Sequence, residues 1–480
     1  MSKYQKIDFN ELTERLKNEV SIEAVHDMYS GGYVNKSNTM SDCPFCYEPG
    51  RRKLYKTPGN TFLCYGGCND GRAIDIFAYY QLKFNVGFFE AKVALGRDFG
   101  YIAPEIADKL LGGKTKVEYK PKKVNNNYKA PVKKEEVPLQ SMEVRNNVYN
   151  VMSRMLPLNE EQFYYLKGIR KLPEERILRD YFRLPYTNGE AGVVFMDRLL
   201  ALLKEKHGYE EKDLIGIPGF YKAENGRMTF VGGKGICMKA RKADGMAHGL
   251  QVRNYTKILE NGDLYINDPS YKYLWVTSRN KKCGITGKAA IDVIVPQGEM
   301  HTTLLITEGK FKSEIMSSRF SSPVISLPGV KQWKYDLEPE INYINDNIRK
   351  INNIVVCFDA DMGTNLDVYT QLKNMTNTVL SKYNDDVKMA VWDQRFGKGL
   401  DDIIISKNED KMKKVSCKDY FVKYEIFIDE LKKHYDIKGY NVYLKDIKDE
   451  KGNPVRLDKD ILLRLYTESV LIPLGVPTAA

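Results

Sequence analysis

The sequence predicts a multidomain α/β protein in which a small cysteine-rich ribbon, a basic mixed α+β region, a doubly wound α/β unit and a small helical C-terminal region follow one another. Three observations predict it. Four cysteines crowd into residues 43–68, short apolar runs punctuated by Gly, Asn and Asp fill 183–275, and apolar runs alternate with helical segments over 304–402. A chain of 480 residues has room for roughly two to four such domains. The boundaries drawn from composition are 1–111 for the ribbon and its flanking helices, 112–140 for a linker, 141–300 for the basic region, 301–405 for the α/β unit and 406–480 for the tail.

Hydrophobic residues make up 42% of the chain, with 74 basic against 63 acidic side chains. The net charge of +11 favours a polyanionic partner, because lysines near phosphates release condensed counterions. A lysine-rich solubilising surface is the plainer alternative. No run approaches the roughly 18 apolar residues that span a bilayer, and MSKYQKIDFN is followed by no apolar segment. A cytoplasmic location and no membrane partner are therefore expected.

In the ribbon, Leu12, Leu16, Val20, Ile22 and Val25 recur at helical spacing over 8–29, predicting two short helices with Asn10 or Ser21 as caps. Cys43, Cys46, Cys64 and Cys68 then form C-x2-C-x17-C-x3-C. Two close thiolate pairs separated by a hairpin are how a structural tetrahedral zinc site is built, so one zinc ion is expected. The other four cysteines are scattered singly and read as small hydrophobes. Arg51, Arg52, Lys53, Tyr55, Lys56, Phe62, Tyr65 and Arg72 surround the thiols, either as an aromatic and basic face for unpaired bases or as a solvated surface. Two helices are expected after Cys68, in NDGRAIDIFAYYQLKF and VGFFEAKVALGRDFG. The Lys-, Pro- and Asn-rich stretch from Gly112 reads as a flexible basic tether.

Helices are expected in MEVRNNVYNVMSRML, NEEQFYYLKGI and PEERILRDYF. GEAGVVFM, RMTFVG, GICMKA, GMAHGLQVRN and GDLYIND are read as strands, with hairpins at Ala243-Asp244-Gly245 and Asn261-Gly262-Asp263. Lys239, Arg241, Arg253, Lys281 and Lys282 either line a groove for template or nucleotide or form a solvated face. GITGKAA, GGKGI and GGKTK all fall short of the G-x-x-x-x-G-K-[ST] phosphate loop, which argues against a nucleotide-driven motor.

In the α/β unit, LLITEGKF, IVVCFDADM and MAVWD are apolar runs ending in carboxylates. They read as parallel strands that deliver Glu308, Asp359, Asp361 and Asp393 to one sheet edge, with Gly309, Gly329 and Gly363 permitting the turns. Oxygen ligands of this kind suit Mg or Mn, one to three ions, and the chemistry that fits is phosphoryl or nucleotidyl transfer. Glu308 either binds metal or accepts a proton. Asp401 and Asp402 in GKGLDD are available to complete the ion shell, while Lys310, Lys312 and Lys398 are placed to meet a phosphate.

Over roughly residues 8–405 this order resembles bacterial-type DNA primases and their phage or mobile-element relatives. CPFC with FLCYGGCNDGRAIDIF is similar to the CHC2-type zinc finger, GKGICMKARKADGMAHGLQVRN with PSYKYLW and GITG to the primase segment that follows, and the acidic unit to the Toprim domain. The resemblance implies that Glu308, Asp359 and Asp361 act with divalent metal, that Asp401 assists, and that the ribbon holds single-stranded DNA. It also implies ribonucleoside triphosphates as substrates and a replicative helicase as partner. Three departures stand out: Cys46 where the finger family has His, Lys312 where a further acid is usual, and Gly399 in place of the first acid of a GKDPD-like segment. RNA primer synthesis is the leading expectation. A Toprim nuclease using the same carboxylates and a degenerate DNA-binding accessory remain open beside it.

Overall fold

The computed structural model describes residues 7–30, 40–45, 52–57, 59–64, 68, 73–112, 137–187, 189–267, 271–438, 441–449 and 454–479. The chain forms two compact units, Met1–Lys134 with Asp429–Asp458, and Glu135–Ile428 with Lys459–Ala480.

The first unit opens with α1 (Phe9–Glu19), capped by the Asp8 carboxylate rather than by Asn10, and α2 (Ile22–Ser30), where the Ser21 hydroxyl accepts from the Ala24 amide as expected. β1 (Met40–Asp42), β2 (Arg52–Thr57) and β3 (Thr61–Cys64) form an antiparallel ribbon. The turn residue Asn60 ties the ribbon to the helices, its side chain bonding the Ile22 amide and the Val20 carbonyl, both at 2.8 Å. Helices α3 (Ile76–Phe84), α4 (Phe88–Asp98) and α5 (Pro104–Leu110) follow, the last without a sequence signal. Leu16, Val25, Leu54, Phe62 and Phe77 share one core, so the helices pack on the ribbon. Phe62 is fully buried there, which removes it from any base-stacking face.

The second unit begins with α6 (Met142–Met155), α7 (Glu160–Tyr164), α8 (Glu174–Asp180) and β4 (Tyr181–Arg183). GEAGVVFM, expected as a strand, is the start of α9 (Gly189–His207). Gly192, Phe195, Met196, Leu199 and Leu203 make one buried helical stripe, and the β-branched Val193 and Val194 face outward instead. The hairpin β5 (Phe220–Lys222) and β6 (Met228–Phe230) precedes β7 (Gly235–Arg241) and β8 (Ala247–Asn254), which turn at Gly245, and β9 (Lys257–Ile258) and β10 (Leu264–Tyr265), which turn at Gly262. β11 (Tyr273–Trp275) completes an antiparallel sheet in the order β11-β8-β7-β4.

The acidic region is a six-stranded sheet built from β12 (Asp292–Ile294), β13 (Thr303–Glu308), β14 (Val324–Leu327), β15 (Asn353–Cys357), β16 (Lys388–Val391) and β17 (Lys413–Ser416), in the order β12-β14-β13-β15-β16-β17. The four central strands are parallel and the two edges antiparallel. Helices α10 (Lys310–Phe320), α11 (Trp333–Tyr343), α12 (Leu366–Thr378) and α13 (Leu400–Ile405) alternate with them. Gly309 sits at φ 93° between β13 and α10, a conformation that only glycine adopts without strain. Gly329 and Gly363, expected to serve the same purpose, have no such angle.

The tail is not purely helical. Besides donating β17 it forms α14 (Cys417–His434), then in the first unit the antiparallel β18 (Tyr435–Lys438), β19 (Asn441–Lys448) and β20 (Pro454–Arg456), and finally α15 (Lys459–Tyr466). Tyr424 on α14 donates to the Gly363 carbonyl at 2.9 Å, and a side chain at Gly363 would overlap the Tyr466 ring. Gly363 is therefore required by close approach, and the tail buttresses the turn that carries Asp359 and Asp361.

Candidate functional site

In the first unit the Sγ atoms of Cys43, Cys64 and Cys68 lie within 4.8 Å of one another, with Cys43 to Cys68 at 3.8 Å and Cys64 to Cys68 at 3.6 Å. Cys43 and Cys64 are buried. Three converging soft donors fit a zinc ion. Cys46 lies outside the described residues, as do Arg51, Tyr65 and Arg72. Because such a metal contributes folding free energy, Cys64→Ser is expected to drop the bound zinc from about one per chain to near zero by elemental analysis, and to leave the first unit protease-sensitive.

In the second unit, adjacent parallel strands bring three of the predicted carboxylates to one place. Glu308 ends β13, Asp359 and Asp361 follow β15, and all three line a cavity of about 510 Å³. The Thr307 hydroxyl donates to the Cys357 carbonyl at 2.8 Å, locking the two strand ends together. Burial raises the Glu308 carboxyl above its usual range, Lys312 opposing and Asp359 and Asp361 reinforcing the shift. Lys312 pairs with Asp359, and the largely exposed Lys398 reaches Asp361 at 3.2 Å and Asp359 at 3.8 Å. The attraction of Asp361 raises the Lys398 amine against the cost of burial. Among the described residues the three thiols are the one set of three or more such side chains whose ligand atoms all lie within 4.8 Å of one another, and Glu308, Asp359 and Asp361 do not form a set that close.

Asp401 opens α13 and is buried, its Oδ2 receiving Arg170 at 3.2 Å. Burial and the neighbouring Asp402 raise its carboxyl while Arg170 and Lys312 oppose. A Cβ at Gly399 would come within 2.3 Å of Asp401 Oδ1 and 3.3 Å of Lys312 Cε, so the missing acid at 399 is also the space that lets Lys312 approach Asp401. Asp402 does not face this group. It accepts from the Lys398 and Gly399 amides and caps the helix.

Several predicted site residues are used elsewhere. Asp393 follows β16, one strand further from Glu308, and both its oxygens are taken: Arg395 chelates it, and the Ala479 amide donates at 3.1 Å. Burial would raise this carboxyl, and the Arg395 and Ala479 bonds outweigh it, leaving it below the usual range. Arg241 binds Asp180 at 2.6 Å, and buried Arg253 spends its guanidinium on the Asn254 and Leu264 carbonyls. Lys310 lines the cavity, but its amine is held by Asp292 at 2.7 Å and Glu314 at 3.3 Å. Lys281 lies over the Tyr221 ring and Lys282 bonds Lys222 through its backbone, both away from the carboxylate cavity.

Lys239 is 2% exposed and donates to Asn150 and Ser153 at 3.0 and 3.1 Å. Burial, aided by Arg241, lowers its amine to about 7. The unfolded chain then binds more protons than the folded one between pH ~7 and ~10.4, so this lysine makes stability rise with pH across that window and leaves it level below about pH 7. Replacement by Met is expected to flatten that slope in urea unfolding measured at pH 7 and 10.

The cavity also contains residues to which the sequence reading gives no individual site role. Arg170 sits 231 positions from the aspartate it binds and stacks 5.3 Å from the centre of the Phe311 ring. Tyr273, Trp275 and Gln251 form the facing wall.

Residues 297–411 match the family described as a domain of unknown function, DUF3854. No curated protein matches the chain. Similar solved structures include primases. The zinc-binding and RNA polymerase domains of the Aquifex aeolicus primase are 15% identical with a TM-score of 0.40, over 90% of this chain and 91% of that one. The RNA polymerase domain of Mycobacterium tuberculosis primase DnaG, with a double-stranded DNA oligomer bearing a 6-nucleotide overhang, is 12% identical with a TM-score of 0.41, over 69% and 92%. The E. coli primase catalytic core is 14% identical with a TM-score of 0.37, over 70% and 92%. Within the described residues no helix is long and apolar enough to cross a membrane.

Proposed function

We propose that the chain is a primase-type nucleotidyltransferase that joins ribonucleoside triphosphates on a single-stranded DNA template. One observation carries the reading: Glu308, Asp359 and Asp361 stand at the ends of two adjacent parallel strands and open into a cavity whose opposite wall is aromatic. Their hard oxygens fit Mg or Mn, which would neutralise triphosphate charge and make a 3′-hydroxyl a better nucleophile when bound there. Glu308, raised by burial, is the group suited to accept the hydroxyl proton. Lys398, exposed at the mouth, leaves Asp361 to meet the triphosphate, whereas Lys312 stays between Asp359 and Asp401 as a fixed positive charge. The ribbon, with its zinc, would contact the template.

The test combines single-stranded DNA, four ribonucleotides and Mg or Mn. Short labelled RNA is expected. Shortened DNA without ribonucleotide incorporation would replace this reading by the nuclease. A second reading has its own observation, since Lys312 and Lys398 already pair with two of the three acids. DNA binding with no product under either metal would favour that degenerate accessory.

A further inference from the structure

The wall opposite the carboxylates has a pattern that the phosphate chemistry does not use. Across β11, β8 and β7 the register places Trp275 opposite Gln251 and Gln251 opposite Met238, and two residues along, on the same face, it pairs Gly249 with Ala240. Trp275, Gln251 and Ala240 line the same cavity as Glu308, Asp359, Asp361 and Lys398. The indole lies across bare backbone at Gly249, where a Cβ would come within 3.2 Å of its Cζ3 atom. Two small residues therefore leave a recess beside a partly exposed indole. The Gln251 side-chain amide, at its edge, makes no hydrogen bond to any described residue, although it offers a donor and an acceptor in one plane.

We propose that Trp275 and Gln251 form the base site for a nucleoside triphosphate whose phosphates point toward Lys398 and the carboxylates, an inference that rests on the nucleotide-binding reading of this cavity. The indole face stacks on the base, which every base permits because each has a π-face. The Gln251 amide adds a preference for adenine, whose exocyclic amine and ring nitrogen match an amide in bidentate fashion. Trp275 is thus a binding residue and Gln251 a specificity residue.

The molecule carries its own probe. Of three tryptophans, Trp333 and Trp392 are 6% and 2% exposed, which leaves Trp275 as the one a ligand in this cavity can reach. Titrating the full chain with ATP, in the absence of DNA, should quench intrinsic fluorescence saturably. Trp275→Phe should lose the quench but keep the ATP affinity, measured by equilibrium dialysis, within about twofold. Trp275→Leu should weaken ATP binding about tenfold or more, and Gln251→Leu should erase the preference for ATP over UTP, all with melting curves like that of the parent. ATP binding of equal strength in parent and Trp275→Leu overturns the base site, as does binding without a quench. ATP binding with these signatures in a chain that makes no RNA keeps the base site and rejects the primase reading. Primer synthesis with an unchanged KM for ATP in Trp275→Leu rejects the base site and keeps the primase.

Discussion

Asp359→Ala is expected to lower primer synthesis at least about a thousandfold, a loss of about 4 kcal/mol in transition-state stabilisation, without unfolding the second unit. Asp359 is the carboxylate shared by both cations, pairing with Lys312 and lying 3.8 Å from Lys398. Its removal leaves two ammonium groups facing Glu308 and Asp361 and takes away an oxygen ligand, so the acids no longer outnumber the lysines and the charge that would hold a divalent cation is cancelled. The surrounding backbone does not depend on it, because the turn is held from outside by Tyr424 and Tyr466. The measurement is label incorporation per minute beside a thermal melt. Asp393→Ala supplies the contrast: it should disturb the packing of the C-terminal residues and leave the chemistry within a few fold, since Asp393 is bonded to Arg395 and Ala479 instead of facing the cavity.

The largest effect on stability is expected at Asp180→Ala. Asp180 is fully buried, holds Arg241 at 2.6 Å, and also binds Arg179. Lys310, Asp292 and Glu314 lie in the same network, and Lys310 directly follows the Gly309 turn that positions Glu308. Removing one partner strands a desolvated guanidinium, which costs about 3–5 kcal/mol. Against a typical domain stability of roughly 5–15 kcal/mol this is a large fraction, and the urea midpoint should fall accordingly. Burial would raise the Asp180 carboxyl, but Lys310, Arg179 and Arg241 outweigh it and hold it well below the usual range. Its contribution is therefore fully present above pH ~4 and is lost as pH falls below that, so the parent should lose stability in acid more steeply than the variant.

The α/β unit was legible because its strands are fully apolar and bounded by Gly turns, a pattern that survives without tertiary information. Glu308, Asp359 and Asp361 followed from the same signal. Asp393 looked equivalent, since it too ends an apolar run. What separates it is strand order: β15 lies beside β13, and β16 lies one place further out. Order within a parallel sheet is set by crossover packing, which a local pattern does not encode. The same limit hid the partners of the basic residues. Charge alone places Arg241 and Arg253 in a groove or on a solvated face and Lys310 against a phosphate, yet Arg241 and Lys310 are paired with Asp180 and Asp292, and Arg253 is bonded to the Asn254 and Leu264 carbonyls across the next hairpin. GEAGVVFM reads as a strand because three β-prone residues, Val193, Val194 and Phe195, outweigh the helical stripe that only Leu199 and Leu203 complete. Trp275 and Gln251 fall within the stretches that resemble the primase segment, but nothing local singles them out as site residues, and their common wall exists only through cross-strand register.

The most direct test is manganese binding to the full chain, followed by electron paramagnetic resonance without nucleotide, which would itself bind the ion. If Glu308, Asp359 and Asp361 hold the catalytic cation, the parent should remove free Mn from the spectrum stoichiometrically, and Asp359→Ala should bind at least about tenfold more weakly. Equal binding by the two proteins would contradict the assignment of these carboxylates as the cation site.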